Sequence, residues 1–186
     1  MDSQILQILH SLEKSREQFW NISPEVGKFL YDTIIENNYS QILEIGSSNG
    51  YSGIWIASAL IKLQTSNKPT LYTIESHKER FALSKENFEK SGLNKFITHI
   101  NGHAPECIPT NKNFDMAFFD ATKYEHESYY QTIKDSINLG GMIIADNIHS
   151  HKDQMNNYIE ALKNDKNFNS KESTIGTGLL ISKKIS

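Results

Sequence analysis

The stretch whose reading decides the fold is Ile42-Leu43-Glu44-Ile45-Gly46-Ser47-Ser48-Asn49-Gly50-Tyr51-Ser52-Gly53. Apart from Glu44 its opening residues are branched and apolar, which reads as a buried strand. Gly46 and Gly50 then mark a turn, and a helix starts at Tyr51. Glycine lets the backbone bend sharply and approach a ligand closely, and a helix N-terminus offers free N–H groups. In open α/β sheets ligands bind beyond the carboxyl ends of the strands, which is where this turn falls. Taken alone, the two glycines are equally compatible with a plain strand-to-helix turn.

Outward from this turn, short apolar runs alternate with amphipathic stretches, the pattern of an α/β fold. Strands are predicted at 41–45, 71–74, 96–101, 115–119 and 142–145, and helices at 51–63, 78–91, 126–137 and 152–163. The strands are almost continuously apolar, as parallel strands covered on both faces should be. Gly92 supplies a stop for the second of those helices. Two more helices are predicted before the first strand, the second opening at Ser23-Pro24-Glu25 with a serine cap and proline at the first helical position. At the other end, 168–174 and 179–183 read as strands joined by Ile175-Gly176-Thr177-Gly178, so one edge of the sheet should be antiparallel. The expectation is a single domain over 1–186, with N-terminal helices in 1–39 and a Rossmann-like core in 40–186.

Composition narrows the function classes. At 186 residues there is room for one full core and not for two ordinary domains. A formal net charge of −3, with basic residues scattered over helix faces, points away from nucleic acid and anionic membranes. Cys107 is the only cysteine, which rules out an intrachain disulfide and a cysteine-rich zinc site and fits a reducing compartment. Residues 1–14 lack the apolar core of a signal peptide, and no run reaches the roughly 20 apolar residues that span a bilayer. A cytoplasmic location is therefore expected.

Glu75 ends the second strand, one βα unit after Gly46. There its carboxylate can accept hydrogen bonds from both hydroxyls of an adenosine ribose, although a solvated surface Glu is the bland reading. The G-x-x-x-G spacing departs from the G-x-G-x-x-G dinucleotide fingerprint and makes less provision for a pyrophosphate. Glu44 is unusual in a buried strand and needs a polar partner, which the ammonium of a methionine moiety would supply.

A second cluster emerges at the ends of the fourth and fifth strands, in Phe118-Phe119-Asp120-Ala121-Thr122-Lys123 and Ile143-Ile144-Ala145-Asp146-Asn147. Adjacent parallel strands would bring Asp120, Asp146 and Asn147 together as an all-oxygen set suited to Mg²⁺ or another hard cation. Such an ion would hold two neighbouring oxygens of a substrate. Lys123 is close enough to act on the same substrate, and a dication beside it would push it towards the neutral form from about 10.4. Singly, each has an ordinary alternative: a helix-capping Asp120, a turn at Asp146-Asn147, a solvated Lys123.

With these residues in place, the chain resembles the class I S-adenosylmethionine-dependent O-methyltransferases of the divalent-metal group, such as catechol and caffeoyl-coenzyme A O-methyltransferases. The resemblance runs through Asn21-Ile22-Ser23-Pro24-Glu25, Leu43-Glu44-Ile45-Gly46, Gly50-Tyr51-Ser52, the Asp120 segment, and Leu139-Gly140-Gly141-Met142 into Asp146-Asn147. It implies a seven-stranded, mostly parallel sheet with a reversed last strand and helices on both faces. It also implies S-adenosylmethionine as donor, Mg²⁺ as the metal and a small hydroxyl acceptor, catechol-like in some members. By the resemblance, Glu44, Gly46 and Ser52 bind the methionine end, Gly50 is a further donor-binding position in the same turn, Glu75 binds the ribose, and Gly102 and His103 line the adenine. Asp120 lies near donor and metal, Asp120, Asp146 and Asn147 match the metal ligands, and Lys123 matches the base. His103 is bulkier than the residues usual in its segment, and Ile148-His149-Ser150-His151 differs from the substrate loops of plant and animal members. Members often dimerise, so a homodimer is among the implied states, though no stretch of sequence marks an interface.

Other residues carry open readings. His149 and His151 form an H-x-H pair, read as loop or substrate-contacting histidines or as metal ligands. Tyr124, Tyr129 and Tyr130 divide between pocket and core, Trp55 reads as packing, and Phe19 and Trp20 either roof a site or close a sheet edge. Cys107 has no evident activating partner and reads as an inert thiol. The functional alternatives to an O-methyltransferase are an NAD(P)-dependent oxidoreductase, which the glycine spacing disfavours, and a non-catalytic donor-binding protein. The joint presence of Asp120, Lys123, Asp146 and Asn147 argues against the second alternative.

Overall fold

Strands that are apolar on both faces need cover on both faces, and the chain supplies it with helices above and below one sheet. The structure, a computed structural model, describes residues 1–65 and 68–186. Strands β1 (Gln41–Ile45), β2 (Thr70–Glu75), β3 (Ile97–Asn101), β4 (Phe114–Phe119) and β5 (Ile137–Ala145) pair in parallel. Strands β6 (Phe168–Ser173) and β7 (Leu179–Lys184) form the hairpin, and β7 runs antiparallel to β5. The order is β3-β2-β1-β4-β5-β7-β6, a Rossmann-like, mostly parallel seven-stranded sheet whose last strand is reversed. The reversal therefore lies one strand in from the edge, because β6 rather than β7 forms the border. The order switches direction between β1 and β4, and a crevice opens at such a point.

Seven α-helices complete the described residues: α1 (Ser3–Glu13), α2 (Arg16–Phe19), α3 (Pro24–Asn37), α4 (Tyr51–Leu60), α5 (Lys78–Lys90), α6 (His126–Ile133) and α7 (Lys152–Asn164). At the start of α3 the Ser23 hydroxyl accepts from Val26 N at 3.3 Å, with Pro24 behind it in the first turn. Alternate strand residues split the core in two. Ile42, Leu71, Met116, Phe118 and Ile144 meet Val26, Leu30 and Ile34 of α3 and the apolar face of α4. Leu43, Ile45, Ala117, Phe119 and Ile143 meet Tyr129 and Ile133 of α6 and Met155, Tyr158 and Leu162 of α7. Each large side chain buried in this way contributes about 1.5–3 kcal/mol of transfer free energy.

Three expectations need correction. The predicted helix over 126–137 stops at Ile133, a 3₁₀ turn covers Lys134–Ser136, and β5 already starts at Ile137 rather than 142. The cause is tertiary: Ile137 pairs with Phe114, and the ladder then shifts before resuming at Met142 opposite Met116. The helix over 51–63 ends at Leu60, after which Lys62 N and Leu63 N close short turns on Ala59 O and Leu60 O. Finally, α2 is an unforeseen third helix before β1, too short to show a hydrophobic period. Among the described residues, no helix is long and apolar enough to cross a membrane.

Candidate active site

The crevice at the switch point is a pocket of about 960 Å³. Gly46 and Ser48 reach it from the end of β1, Glu75 and His77 from β2, Gly102 and His103 from β3. Residues 120–124 enter from β4 and Asn147 from β5, while Phe19 and Trp20 at the end of α2 form part of its wall. Gly46 has φ +99°, and a Cβ there would come within 2.5 Å of Asp120 O, so only glycine lets β1 and β4 end this close together.

Glu75 is nearly buried, yet it lines the pocket. Its Oε2 accepts from Ser48 N and its Oε1 from His77 N, each at 2.8 Å. Two backbone donors thus hold the carboxylate still while each oxygen keeps lone-pair capacity, which fits a diol such as a ribose. Glu44 lies under the floor and is fully buried. From within the protein its register partner Thr73 donates to Oε2 at 2.5 Å, while Oε1 is buried with no hydrogen bond among the described residues. Burial pushes the Glu44 carboxyl up to about 7 against the pull of the Ser52 and Thr73 hydroxyls, and the negative charges of Asp120 and Glu75 add to the rise. Gly50 and Ser52 also lie off the pocket wall.

The second cluster does assemble. Lys123 Nζ donates to Asp120 Oδ1 at 2.7 Å, and both side chains are mostly buried. Asp146 sits behind the wall, where Oδ1 accepts from Asn147 N at 2.7 Å and from Thr177 Oγ1 at 2.8 Å. Burial, followed by the charge of Asp120, raises Asp146 to about 6, while the two hydrogen bonds and Lys123 oppose the rise. The carboxylates of Asp120 and Asp146 beside the amide oxygen of Asn147 are a donor set that fits a hard divalent cation. No three His, Cys, Asp or Glu side chains converge as a metal cage among the described residues, and here the third donor is an asparagine.

Of the predicted site residues, Gly46, Glu75, Gly102, His103, Asp120, Lys123 and Asn147 line one pocket. His103 pairs with Glu125 at 3.1 Å. The H-x-H pair separates: His149 turns to Glu172 of β6 at 3.3 Å, whereas His151 lines the pocket. Phe19 and Trp20 take the roofing role, with Ser48 Oγ donating to Phe19 O at 2.9 Å and the Arg80 guanidinium 4.8 Å above the Trp20 ring. Tyr124 and Tyr129 line the pocket, while Tyr130 is core. Trp55 packs on Gly27, where a Cβ would be 2.5 Å from the indole, and Cys107 packs with the second core. Ser48, Arg80 and Thr177 join the site without a sequence signal, because their partners are remote in the chain.

A family model described as O-methyltransferase matches residues 2–185. The chain belongs to this O-methyltransferase family. It is 31% identical over 152 residues to a catechol O-methyltransferase of Niastella koreensis, covering 79% of this chain and 66% of that protein. It is 26% identical to a catechol O-methyltransferase of Mycobacterium tuberculosis, over 68% of this chain and 56% of that one. The chain thus spans less than two thirds of the length of these curated relatives. Among solved structures, an O-methyltransferase of Bacillus cereus in complex with SAH superposes with a TM-score of 0.84 at 21% identity, covering 99% of this chain and 91% of that one. At that identity the likeness speaks to the fold.

Proposed function

We propose that this chain transfers a methyl group from S-adenosylmethionine to a hydroxyl oxygen of a small acceptor with two neighbouring oxygens, of catechol type. The observation that carries the reading is the meeting, in one pocket at the switch point, of Glu75 with Asp120, Lys123 and Asn147, with Asp146 directly behind the wall beside Asn147. Family membership and the catechol O-methyltransferase relatives support it.

When bound, the donor supplies an electrophilic methyl on a sulfonium sulfur, and a divalent cation supplies positive charge that makes the acceptor hydroxyl more acidic. Glu75 holds the ribose hydroxyls, Gly46 leaves room beside them, and Gly102 and His103 border the adenine. Glu44, Gly50 and Ser52 shape the floor beneath the methionine end. Asp120, Asp146 and Asn147 would hold the cation, and Lys123, once it has left Asp120 and given up a proton to solvent, would accept the hydroxyl proton at Nζ as a neutral amine. The transfer is an in-line displacement, so the protein's main task is to align acceptor oxygen, methyl carbon and sulfur.

The test is transfer of labelled methyl from S-adenosylmethionine to catechol with Mg²⁺, with EDTA, and with Mg²⁺ or Mn²⁺ restored in excess. Label should appear on a catechol oxygen only when the ion is present. Full transfer in EDTA would remove the metal and leave methyl transfer standing. S-Adenosylhomocysteine at 100 times its dissociation constant should stabilise the fold by about 2.7 kcal/mol. No melting shift at millimolar concentration would overturn the donor assignment.

A further inference from the structure

The turn between β6 and β7 folds back over the end of β5. Ile148 N donates to Gly178 O at 3.1 Å and His149 N to Thr177 O at 3.3 Å, which stitches the turn to the loop after β5. Within this seam Thr177 Oγ1 donates to Asp146 Oδ1 and accepts from Asn147 Nδ2, both at 2.8 Å. Asn147 N donates to the same Asp146 oxygen at 2.7 Å, and Asn147 holds a left-handed φ of +69° that asparagine tolerates better than most residues.

The protons in this triad have a single consistent arrangement. An ionised carboxylate can only accept, so the one hydroxyl proton of Thr177 must point at Asp146. The hydroxyl then presents a lone pair to Asn147, whose amide must turn its nitrogen towards it. Asn147 Oδ1 is thereby left free for the pocket that the residue lines. With the amide reversed, two oxygens would face each other with no proton between them. Asp146 Oδ1 is likewise committed, while Oδ2 has no hydrogen-bond donor among the described residues.

We propose that Thr177 is a positioning residue for the cation site. It selects the amide orientation of Asn147 and pins Asp146, so that Asn147 Oδ1 and Asp146 Oδ2 are the atoms offered to the ion. This rests on the divalent-cation reading above. The role belongs to a residue some 30 positions down the chain from its partners, on a different structural unit of the sheet.

The experiment measures Mn²⁺ affinity directly, from the electron paramagnetic resonance of the free ion, with neither donor nor acceptor present. Thr177→Val keeps the shape and removes the hydroxyl, Thr177→Ala does so without added bulk, and Thr177→Ser restores it. Cooperative thermal unfolding checks that each variant folds. Val and Ala should bind Mn²⁺ about 10–100-fold more weakly than the unmodified protein, the usual effect of losing an outer-shell partner. Ser should recover most of that loss. If Val or Ala, whichever folds, binds as tightly as the unmodified chain, Thr177 has no such role and the cation site stands without it. If the unmodified chain binds no Mn²⁺ at millimolar concentration, while Asp146→Ala behaves identically, the cation reading falls and this proposal with it.

Discussion

Strand β4 carries an aspartate near each end, and their surroundings differ. Asp115, near the N-terminal end, has both oxygens occupied. Its Oδ2 accepts from Ser40 N at 2.8 Å and Gln41 N at 2.9 Å, and its Oδ1 accepts from Asn138 Nδ2 at 2.8 Å. Those donors sit where the chain enters β1 and where β5 departs from regular pairing, so Asp115 fastens three strands together. Asp120, just past the C-terminal end, faces the pocket, and among the described residues its side-chain hydrogen bond comes from Lys123. The same chemical group is structural at one end of the strand and available at the other. At the closed end, fixed backbone donors consume the carboxylate. At the open end, the strands part at the switch point and leave it the Lys123 ammonium and a cavity.

The contrast can be broken at its open end with the largest effect. Lys123→Ala should lower kcat by about 10²–10⁴-fold if the amine is the general base, while the melting temperature stays near that of the unmodified chain. A much smaller loss, read in the labelled-methyl assay, would mean that the acceptor ionises without it. Asp115→Ala should show the reverse. It strands two backbone N–H groups and should cost about 1.5–3 kcal/mol of folding stability by urea titration, with the affinity for S-adenosylhomocysteine unchanged. Loss of ligand affinity at unchanged stability would erase the distinction between the two ends.

A further expected effect, confined to acid pH, concerns the layer beneath the open end. His126 is buried against Phe119, Tyr129 and Tyr158, its Nδ1–H donating to Thr122 O at 3.0 Å. Burial, followed by the charge of Lys123, lowers it from 6.5 to about 3. Below pH 6.5 the unfolded chain therefore takes up a proton that the folded chain refuses. Stability from this group is complete above 6.5 and declines as pH falls towards 3. His126→Phe should lose less stability than the unmodified protein between pH 6.5 and 4, measured by denaturant unfolding at each pH. Equal slopes would show that His126 is not the group responsible.

Much of this is legible in the sequence. Apolar runs located β1, β2, β4 and the end of β5, because parallel strands buried on both faces leave a continuous apolar signature, whereas the polar β6 was legible only through the glycine turn that joins it to β7. The Gly46 turn and the acids after β2, β4 and β5 were legible because strand ends in this fold share one side of the sheet. Boundaries set by pairing were not: β5 gains its first residues from Phe114, a contact no local pattern encodes. Glu44 was rightly singled out as an oddity, but its partner Thr73 is assigned by strand register.

The sequence by itself determined the fold class and the chemistry of the groups at the strand ends, since both follow from local periodicity and residue type. Only the tertiary structure decided which of those groups are free. It spent Asp115 on the neighbouring strands, sent His149 to Glu172, tied Lys123 to Asp120 and brought Thr177 back over Asp146 and Asn147. The physical reason is that a hydrogen-bonding group's availability depends on every donor and acceptor within about 3 Å of it, and most of those arrive from distant parts of the chain.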